Sequence, residues 1–398
     1  MTEQRAAPFP LLRLLVIAGA IFVNNTSEFL PTGLLPDIAH GLRVSESQVG
    51  LLVTVFAGTV VVTTAPLTAL TQRFSRKWLM VVTLGVFFVV NVLCAVAPNY
   101  ELLLAARVLG GLAHGLFWAV TAPYAARLVP RQLLSRAIAV TSLGSSAAFV
   151  LGVPLGTALG HALGWRLAFF VTGLAVLVFA LLVVFLLPPV THLGSPVTGP
   201  IELPPHRDRT IPVIVVVCVT IVLIVTGQNV FYTYIAPWIA QAAAMGTGAV
   251  PPLLLAFGVA GAVGLVIAGA LGDRFPRGTL LGLILLLIAS LSLASALAGV
   301  SHPGTIAALL AWNVGFGGIP SLLQARMMHG TSQRLRDLGS AWATIAFNVS
   351  IGGGALLGGV LLDRLGLGIL PVGEVAFLIA AIAFMLATDR FRIARHPG

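Results

Sequence analysis

The chain has 398 residues, of which 58% are hydrophobic and only 9% are charged. Soluble domains carry about 25% charged residues, so this composition excludes an ordinary water-soluble domain and indicates a membrane protein. The net charge of +10 is distributed over short loops between apolar segments, which indicates membrane topology and not a nucleic-acid-binding patch.

Twelve apolar runs of about 20 residues, each long enough to cross a bilayer core of about 30 Å, follow one another along the chain. The first run is too long and too polar for a cleaved signal peptide and leads directly into further spans. We therefore predict an all-α membrane protein with twelve transmembrane helices. The predicted spans lie at about 12–30, 49–70, 78–97, 102–126, 137–160, 167–187, 212–236, 251–272, 279–299, 304–325, 340–362 and 370–388.

Basic residues fall almost entirely on one side of the predicted spans. The alternate loops on the other side hold only Arg43, Arg166 and Arg364, and Arg107 alone lies inside a span. Short cytoplasmic loops are enriched in Lys and Arg, so both termini are predicted to be cytoplasmic. The basic loops are also expected to attract anionic lipid headgroups.

A polar, proline-rich segment at residues 188–211 divides six spans from six and is interpreted as a cytoplasmic linker. It separates a predicted six-helix bundle at residues 1–187 from a second one at residues 212–398. The halves share a pattern, because QRFSRK at 72–77 follows the second span and DRFPRG at 273–278 follows the eighth. Two parallel six-helix repeats with a site at their interface are typical of one large class of transporters.

Short motifs in both halves resemble the major facilitator superfamily, within its twelve-span drug:proton antiporter branch. The loop TALTQRFSRK at 68–77 and its second copy GALGDRFPRG at 269–278 resemble the family's loop signature. Arg107 with Gly111 resembles its proton-linked arginine motif, and GVPLG at 152–156 resembles its exporter motif. The resemblance implies gating roles for Arg73, Arg76, Lys77, Asp273, Arg274, Gly152, Pro154 and Gly156.

Three longer stretches resemble bacterial sugar efflux transporters of the arabinose-exporter kind. They are NNTSEFLPTGLLPDIA at 24–39, ARVLGGLAHGLFW at 106–118 and GWRLAFF at 164–170. Related sequences handle nucleosides or chloramphenicol-like drugs, so the resemblance implies the class of transporter more firmly than its cargo.

Glu28 is the one carboxylate among twelve that is predicted to lie well inside a span, and an ionisable group in hydrocarbon indicates a functional site. Arg107 and His114 lie nearly two helical turns apart, so they share one face of the fourth span. Glu28 and Arg107 should lie at similar depth, and we expect them to pair. The pair either carries the coupling proton or only holds spans one and four together. His114, an imidazole with an unperturbed pKa of about 6.5, either takes part in coupling or contacts the substrate.

A set of amide and aromatic side chains indicates a solute site between the halves. Amides and phenols offer several donors and acceptors, which suits a polyhydroxylated or amphipathic neutral solute. The alternative for each residue is hydrogen bonding between helices. The predicted solute-binding residues are Asn24, Asn25, Phe117, Trp118, Gln228, Asn229, Phe231, Tyr232, Tyr234, Asn313 and Asn348.

Nothing in the sequence indicates catalysis, because it has no Cys/His metal spacing, phosphate-binding glycine loop or nucleophile elbow. We predict a proton-driven antiporter of the bacterial inner membrane, monomeric and without a cofactor, that exports sugars or sugar-like solutes. The alternatives are an efflux pump for multiple drugs or chloramphenicol-type antibiotics, and a non-transporting membrane receptor that kept the fold.

Overall fold

The computed structural model describes residues 9–71, 73–130, 133–189, 210–272, 274–332 and 335–393. Regular structure in these ranges is helical, and they contain no β-strand. Helices are the expected solution in a bilayer, because a helix satisfies its backbone amides and carbonyls within one segment. Most of the predicted linker at 188–211 lies outside the described residues, so the division into two bundles at that point stays a prediction.

Twelve helical segments of the described chain are long and apolar enough to cross a membrane, which confirms the predicted number. A π-helical turn at Ala148–Gly152 interrupts the fifth segment, and the short helix Leu35–Leu42 follows the first. Named α1 to α12 in chain order, the twelve are Leu11–Gly33, Glu46–Leu70, Arg76–Val96, Tyr100–Arg127, Arg136–Leu163, Trp165–Leu186, Ile211–Tyr232, Thr247–Gly272, Pro276–Leu297, His302–Gly330, Gly339–Leu365 and Leu367–Thr388.

The first six and the last six helices repeat one packing pattern. In the first half, α1 packs on α5 and α6, α4 packs on α2 and α3, and α3 packs on α6. The corresponding pairs in the second half are α7 with α11 and α12, α10 with α8 and α9, and α9 with α12. Two further contacts, α2 with α11 and α5 with α8, join the halves and leave a cavity between them.

Helices α1 and α5 pack along a stripe of small residues, which comprises Gly144, Ala148, Gly152, Gly156 and Gly160. A Cβ added at its four glycines would meet, in turn, Ala18, Thr26, Leu30 and Leu34 of the chain segment around α1. Small residues at every fourth position allow two membrane helices to approach closely. The stripe therefore fixes α1, the helix that carries Glu28, against α5.

One end of the interface between the halves is closed, and we call it the sealed end. There, Gln241 Nε2 donates a hydrogen bond of 2.9 Å to Glu46 Oε1 at the start of α2. Tyr234 packs directly on Gly50 of α2 and donates its hydroxyl to the Ala355 carbonyl of α11 at 2.8 Å. Because Gly50 has no Cβ, the Tyr234 hydroxyl fits between the two helices.

Candidate functional site

A buried polar cluster lies where α1, α3 and α4 meet. His114 Nε2 lies 3.7 Å from Glu28 Oε2, and Asn24 Nδ2 lies 3.3 Å from His114 Nδ1. With the proton of the neutral ring on Nε2, Nδ1 accepts from the Asn24 amide and the imidazole N–H faces the carboxylate. Glu28 and His114 are therefore neighbouring side chains that can each hold a proton.

Arg107 lies beside Glu28, but the predicted ion pair with the Glu28 carboxylate is not formed. Instead, Nη2 donates to the Glu28 backbone carbonyl at 3.0 Å and Nη1 lies 3.5 Å from the Ser27 carbonyl. The guanidinium also stacks on the Phe56 ring, with Cζ 4.2 Å from the ring centroid. Pro31 has no N–H and leaves the Ser27 carbonyl, four residues earlier, without its helical donor, so this carbonyl is free to accept from Arg107.

Asn91 of α3 completes the cluster and was missed by sequence reasoning. It exchanges hydrogen bonds of 2.8 and 3.1 Å with the Ser27 hydroxyl and donates a third, of 2.8 Å, to the Phe87 carbonyl. The available signal was an amide in the middle of an otherwise apolar span. Its contacts fix the α1 backbone one residue before Glu28.

The cavity between the halves has a volume of about 340 Å³, within the usual range for small-molecule sites. Its wall is largely apolar and includes five phenylalanines, Phe29, Phe149, Phe257, Phe316 and Phe347. Its polar side chains are Ser146, Gln228, Asn229, Tyr232 and Asn313. Four of the predicted solute-binding residues, all from the second half, therefore lie on the cavity wall.

The amides on this wall have free hydrogen-bonding capacity. Asn229 Nδ2 donates to the Val225 carbonyl at 2.9 Å and Asn313 Nδ2 to the Leu309 carbonyl at 3.0 Å, each within its own helix. Their amide oxygens remain available to a solute, and Gln228 Oε1 is buried without a hydrogen-bond partner. Together these oxygens can accept hydrogen bonds from hydroxyl groups.

In the first half, the other predicted solute-binding residues lie away from the cavity wall. Asn24 belongs to the cluster around His114, and Asn25 donates to Ser145 Oγ of α5 at 3.1 Å. Phe117 is fully buried in the core of the first half, and the Trp118 ring packs 6.2 Å from it. Helical spacing placed Trp118 on the inward face of α4 with Arg107 and His114, but its side chain is 37% exposed, because helical period does not specify which neighbours cover a residue.

In the second half, three predicted solute-binding residues also lie off the wall. Phe231 packs behind it, with ring centroids 5.2 Å from Trp238 and 5.1 Å from Trp312. Tyr234 closes the sealed end, and Asn348 donates its amide to the Thr344 carbonyl of its own helix.

The loop residues predicted to gate transport make contacts inside their own halves. Lys77 Nζ donates to the Val184 carbonyl of α6 at 2.8 Å, and Arg274 lies over the neighbouring Phe275 ring. Arg73 is exposed, and two guanidinium nitrogens of Arg76 are buried without a hydrogen bond. Asp273 lies outside the described residues.

In the fifth span, the residues predicted to gate transport lie in or beside the small-residue stripe. Gly152 and Gly156 pack on α1, and Pro154 is the second residue of the regular helix that follows the π-helical turn. The gating roles of these and of the loop residues stay predictions.

A second buried carboxylate corrects the expectation that Glu28 stands alone. Glu374 of α12 is 0% exposed, and its Oε1 accepts a hydrogen bond of 2.9 Å from Trp312 Nε1 of α10. Sequence reasoning missed it because it is only the fifth residue of the predicted span 370–388, where a carboxylate is expected to reach the membrane surface.

Twelve spans around a central cavity, with ionisable residues buried close to it, define a membrane transporter of small molecules. The chain belongs to the Major Facilitator Superfamily, whose family model matches residues 17–355.

Relatives in other bacteria are named as transporters and not as enzymes. The chain is 32% identical over 381 residues to a "Probable sugar efflux transporter" of Mannheimia succiniciproducens, which covers 95% of this chain and 94% of the relative. A protein with the same name from Helicobacter pylori strain 26695 is 31% identical over 393 residues, covering 98% of this chain and 99% of the relative.

Solved transporters share the fold. A bacterial homolog of the human lysosomal transporter Spinster, in an inward-facing and unoccupied conformation, superposes with a TM-score of 0.78 at 16% identity, covering 99% of this chain and 100% of that one. The nucleoside transporter NupG gives a TM-score of 0.72 at 11% identity, covering 95% and 99%.

Proposed function

We propose that this chain is a proton-coupled antiporter that exports sugars or sugar-like solutes across the bacterial inner membrane. The observation that carries the proposal is the Glu28–His114 pair, a carboxylate and an imidazole 3.7 Å apart in a membrane-spanning bundle. The next residue, Phe29, lines the central cavity. Protonation at the pair and occupation of the cavity therefore involve adjacent positions of α1.

Coupling follows from the cost of moving a bare carboxylate through a low-dielectric interior. Arg107 is bound to the backbone carbonyls of α1, so its charge lies close to Glu28 without a direct hydrogen bond to the carboxylate. Glu28 can then be ionised beside the cation or protonated beside His114. If the solute favours one of these states, protons and solute alter each other's affinity by the same factor.

The cargo proposal rests on the cavity and on the relatives. Amide oxygens of Gln228, Asn229 and Asn313 can accept hydrogen bonds from a polyhydroxylated solute, and the relatives are named as probable sugar efflux transporters. The five phenylalanines of the wall favour a second candidate, an amphipathic antibiotic of the chloramphenicol type, because apolar walls bind apolar groups.

The sidedness proposal follows from charge. Lys and Arg favour the cytoplasmic side, and the loops after α2 and α8 carry Arg73, Arg76, Lys77, Arg274 and Arg277. The sealed end lies at the start of α2 and near the end of α11, on the side away from these basic loops. It therefore faces outward. On this reading both termini are cytoplasmic and the cavity is closed from the outside. We further propose a monomer driven by the proton gradient without a bound cofactor.

Counterflow in proteoliposomes tests the proposal. Vesicles loaded with unlabelled L-arabinose, a nucleoside or chloramphenicol are diluted into the labelled compound, with and without an imposed pH gradient. We expect exchange of arabinose in the loaded vesicles, and net accumulation in vesicles that start without internal solute only when the pH gradient is present. Exchange without any response to the pH gradient would overturn proton coupling, and exchange of chloramphenicol alone would overturn the sugar assignment.

A further inference from the structure

Glu374 lies behind the wall of the solute cavity. Its only hydrogen bond in the described chain comes from Trp312 Nε1. The Trp312 ring packs 6.3 Å from the rings of Tyr232 and Phe257, both of which line the cavity. A change in the position of Glu374 is therefore transmitted to the cavity through one indole ring.

Among the described residues, no side chain forms an ion pair with Glu374. Helix α12 packs against α7, α9 and α11, and Trp312 comes from α10. Tyr232, a titratable group on α7, contacts the Trp312 ring. The other described titratable side chains on these helices are Cys218, Arg277, Asp363, Arg364, His302, Arg326 and His329.

One carboxyl oxygen has no hydrogen-bond partner in the described part of the chain. Glu374 Oε2 is buried without a hydrogen bond, while Oε1 accepts from a neutral indole N–H. A buried ionised carboxylate needs a cation or several donors, and otherwise the group takes up a proton. Oε2 is the position for that proton.

We propose that Glu374 is a protonated positioning residue of the solute cavity, which holds the Trp312 ring in the aromatic wall and releases it on ionisation. An ionised Glu374 carboxylate must be hydrated by water that enters its site, or the side chain must move out of the site. Either change separates α10 from α12. Ionisation of Glu374 at alkaline pH then weakens solute binding by a route separate from the Glu28–His114 pair. The effect on transport rests on the function proposed above, whereas the protonation of Glu374 does not.

The first test needs no solute. Infrared spectra of the reconstituted protein at pH 7 report protonated carboxyl groups by their C=O stretch. We expect Glu374→Gln to remove one such component, and Glu101→Gln, at an exposed position at the start of α4, to leave the spectrum unchanged. An unchanged spectrum for Glu374→Gln would overturn the proposal.

The second test measures arabinose affinity between pH 7 and pH 9. We expect wild type to lose affinity by about tenfold, a common size of coupling between two sites. Glu374→Gln, which keeps a neutral acceptor for Trp312 Nε1, should bind as wild type does at pH 7 and show no loss at pH 9. Glu374→Leu and Trp312→Phe should bind weakly at both pH values.

An alkaline loss that persists in Glu374→Gln would contradict the proposal. If wild type does not bind arabinose, the sugar assignment fails, and the infrared result still decides the state of Glu374.

Discussion

Glu28 and Glu374 are carboxylates inside membrane-spanning helices, one in each half, but their surroundings differ in charge and in access. The Glu28 side chain retains 11% exposure, faces His114 and has Arg107 bound to its own backbone carbonyl. Glu374 is 0% exposed and has a single neutral donor. Burial alone does not set the role of a carboxylate; neighbouring charges and a route for protons do.

The repeated helix packing of the two halves makes the comparison between Glu28 and Glu374 informative. The same helix pairs pack in both halves, yet the first half places its ionisable residues on α1 and α4, while the second places a carboxylate on α12 and amides on the cavity wall. We infer that the first half handles the proton, while most polar groups offered to the solute come from the second half.

The largest expected effect comes from Glu28→Gln, which removes the ionisable carboxylate of the first half. Gln mimics the protonated acid permanently, so arabinose accumulation driven by a pH gradient should be lost while counterflow without a gradient is partly retained. Proteoliposome transport measures both quantities, with Glu101→Gln as the matched control. Continued uphill accumulation in Glu28→Gln would show that this residue is not the coupling site, and His114 would be tested next.

A smaller effect is expected from Pro31→Ala, which tests why Arg107 leaves the Glu28 carboxylate unpaired. Alanine restores an N–H for the Ser27 carbonyl, which removes one of the two backbone acceptors of the guanidinium and favours its turning to the carboxylate. A hydrogen bond to a charged group contributes about 1.5–3 kcal/mol; if it must be broken in each cycle, exchange slows by about ten- to a hundredfold.

Counterflow rates measure the effect of Pro31→Ala, and Pro66→Ala in α2 is the control for removing a proline from a helix interior. Equal rates in the two variants would contradict this explanation of the Arg107 geometry.

Two glycine substitutions should distinguish the role of Glu28 from that of Glu374. A Cβ at Gly152 would meet Thr26 of α1, and one at Gly227 would lie 2.7 Å from Phe377 Cβ and 3.2 Å from the Glu374 carbonyl. Each Gly→Ala change should destabilise the protein by about 1–3 kcal/mol through overpacking, which lowers the thermal unfolding midpoint. Gly152→Ala should reduce pH-driven transport, and Gly227→Ala should alter the alkaline loss of affinity.

The control for both glycine variants is Gly85→Ala, since no atom lies within 4 Å of a Cβ at that position. It should change stability by no more than about 1 kcal/mol. If Gly152→Ala and Gly227→Ala change pH-driven transport and the alkaline loss of affinity equally, the Glu28 and Glu374 sites do not act separately.

The smallest effect is expected from His161→Asn, which removes a contact between α5 and the short helix after α1. His161 Nε2 lies 3.0 Å from Asp37 Oδ2, and the side chains are 16% and 33% exposed. Partly exposed pairs contribute at most about 1 kcal/mol, so the unfolding midpoint should fall slightly while uphill transport and alkaline affinity stay unchanged. A clear loss of uphill transport would show that this ion pair participates in coupling.

Hydrophobic length predicted the twelve spans because each helix must cross the same apolar thickness. Helical period also placed Arg107 and His114 on one face of α4, where both meet α1. It did not predict that Arg107 binds the backbone carbonyls of Ser27 and Glu28, because that contact depends on how another helix packs against α4. The burial of Glu374 was missed for a related reason. Position along a span indicates depth in the membrane, whereas the exposure of a side chain depends on neighbours far away in sequence.

The stripe of small residues on α5 also has a consequence for sequence variation. At Gly144, Gly152, Gly156 and Gly160 selection acts on side-chain volume, because any added atoms meet α1 or the residue after it. Exposed positions between them, such as Leu151 and Leu155, are constrained by hydropathy and tolerate many shapes. In a saturation mutagenesis library, tolerance along α5 should therefore rise and fall with a period of four residues, and apolar residues as large as valine should be lost from the stripe as readily as charged ones.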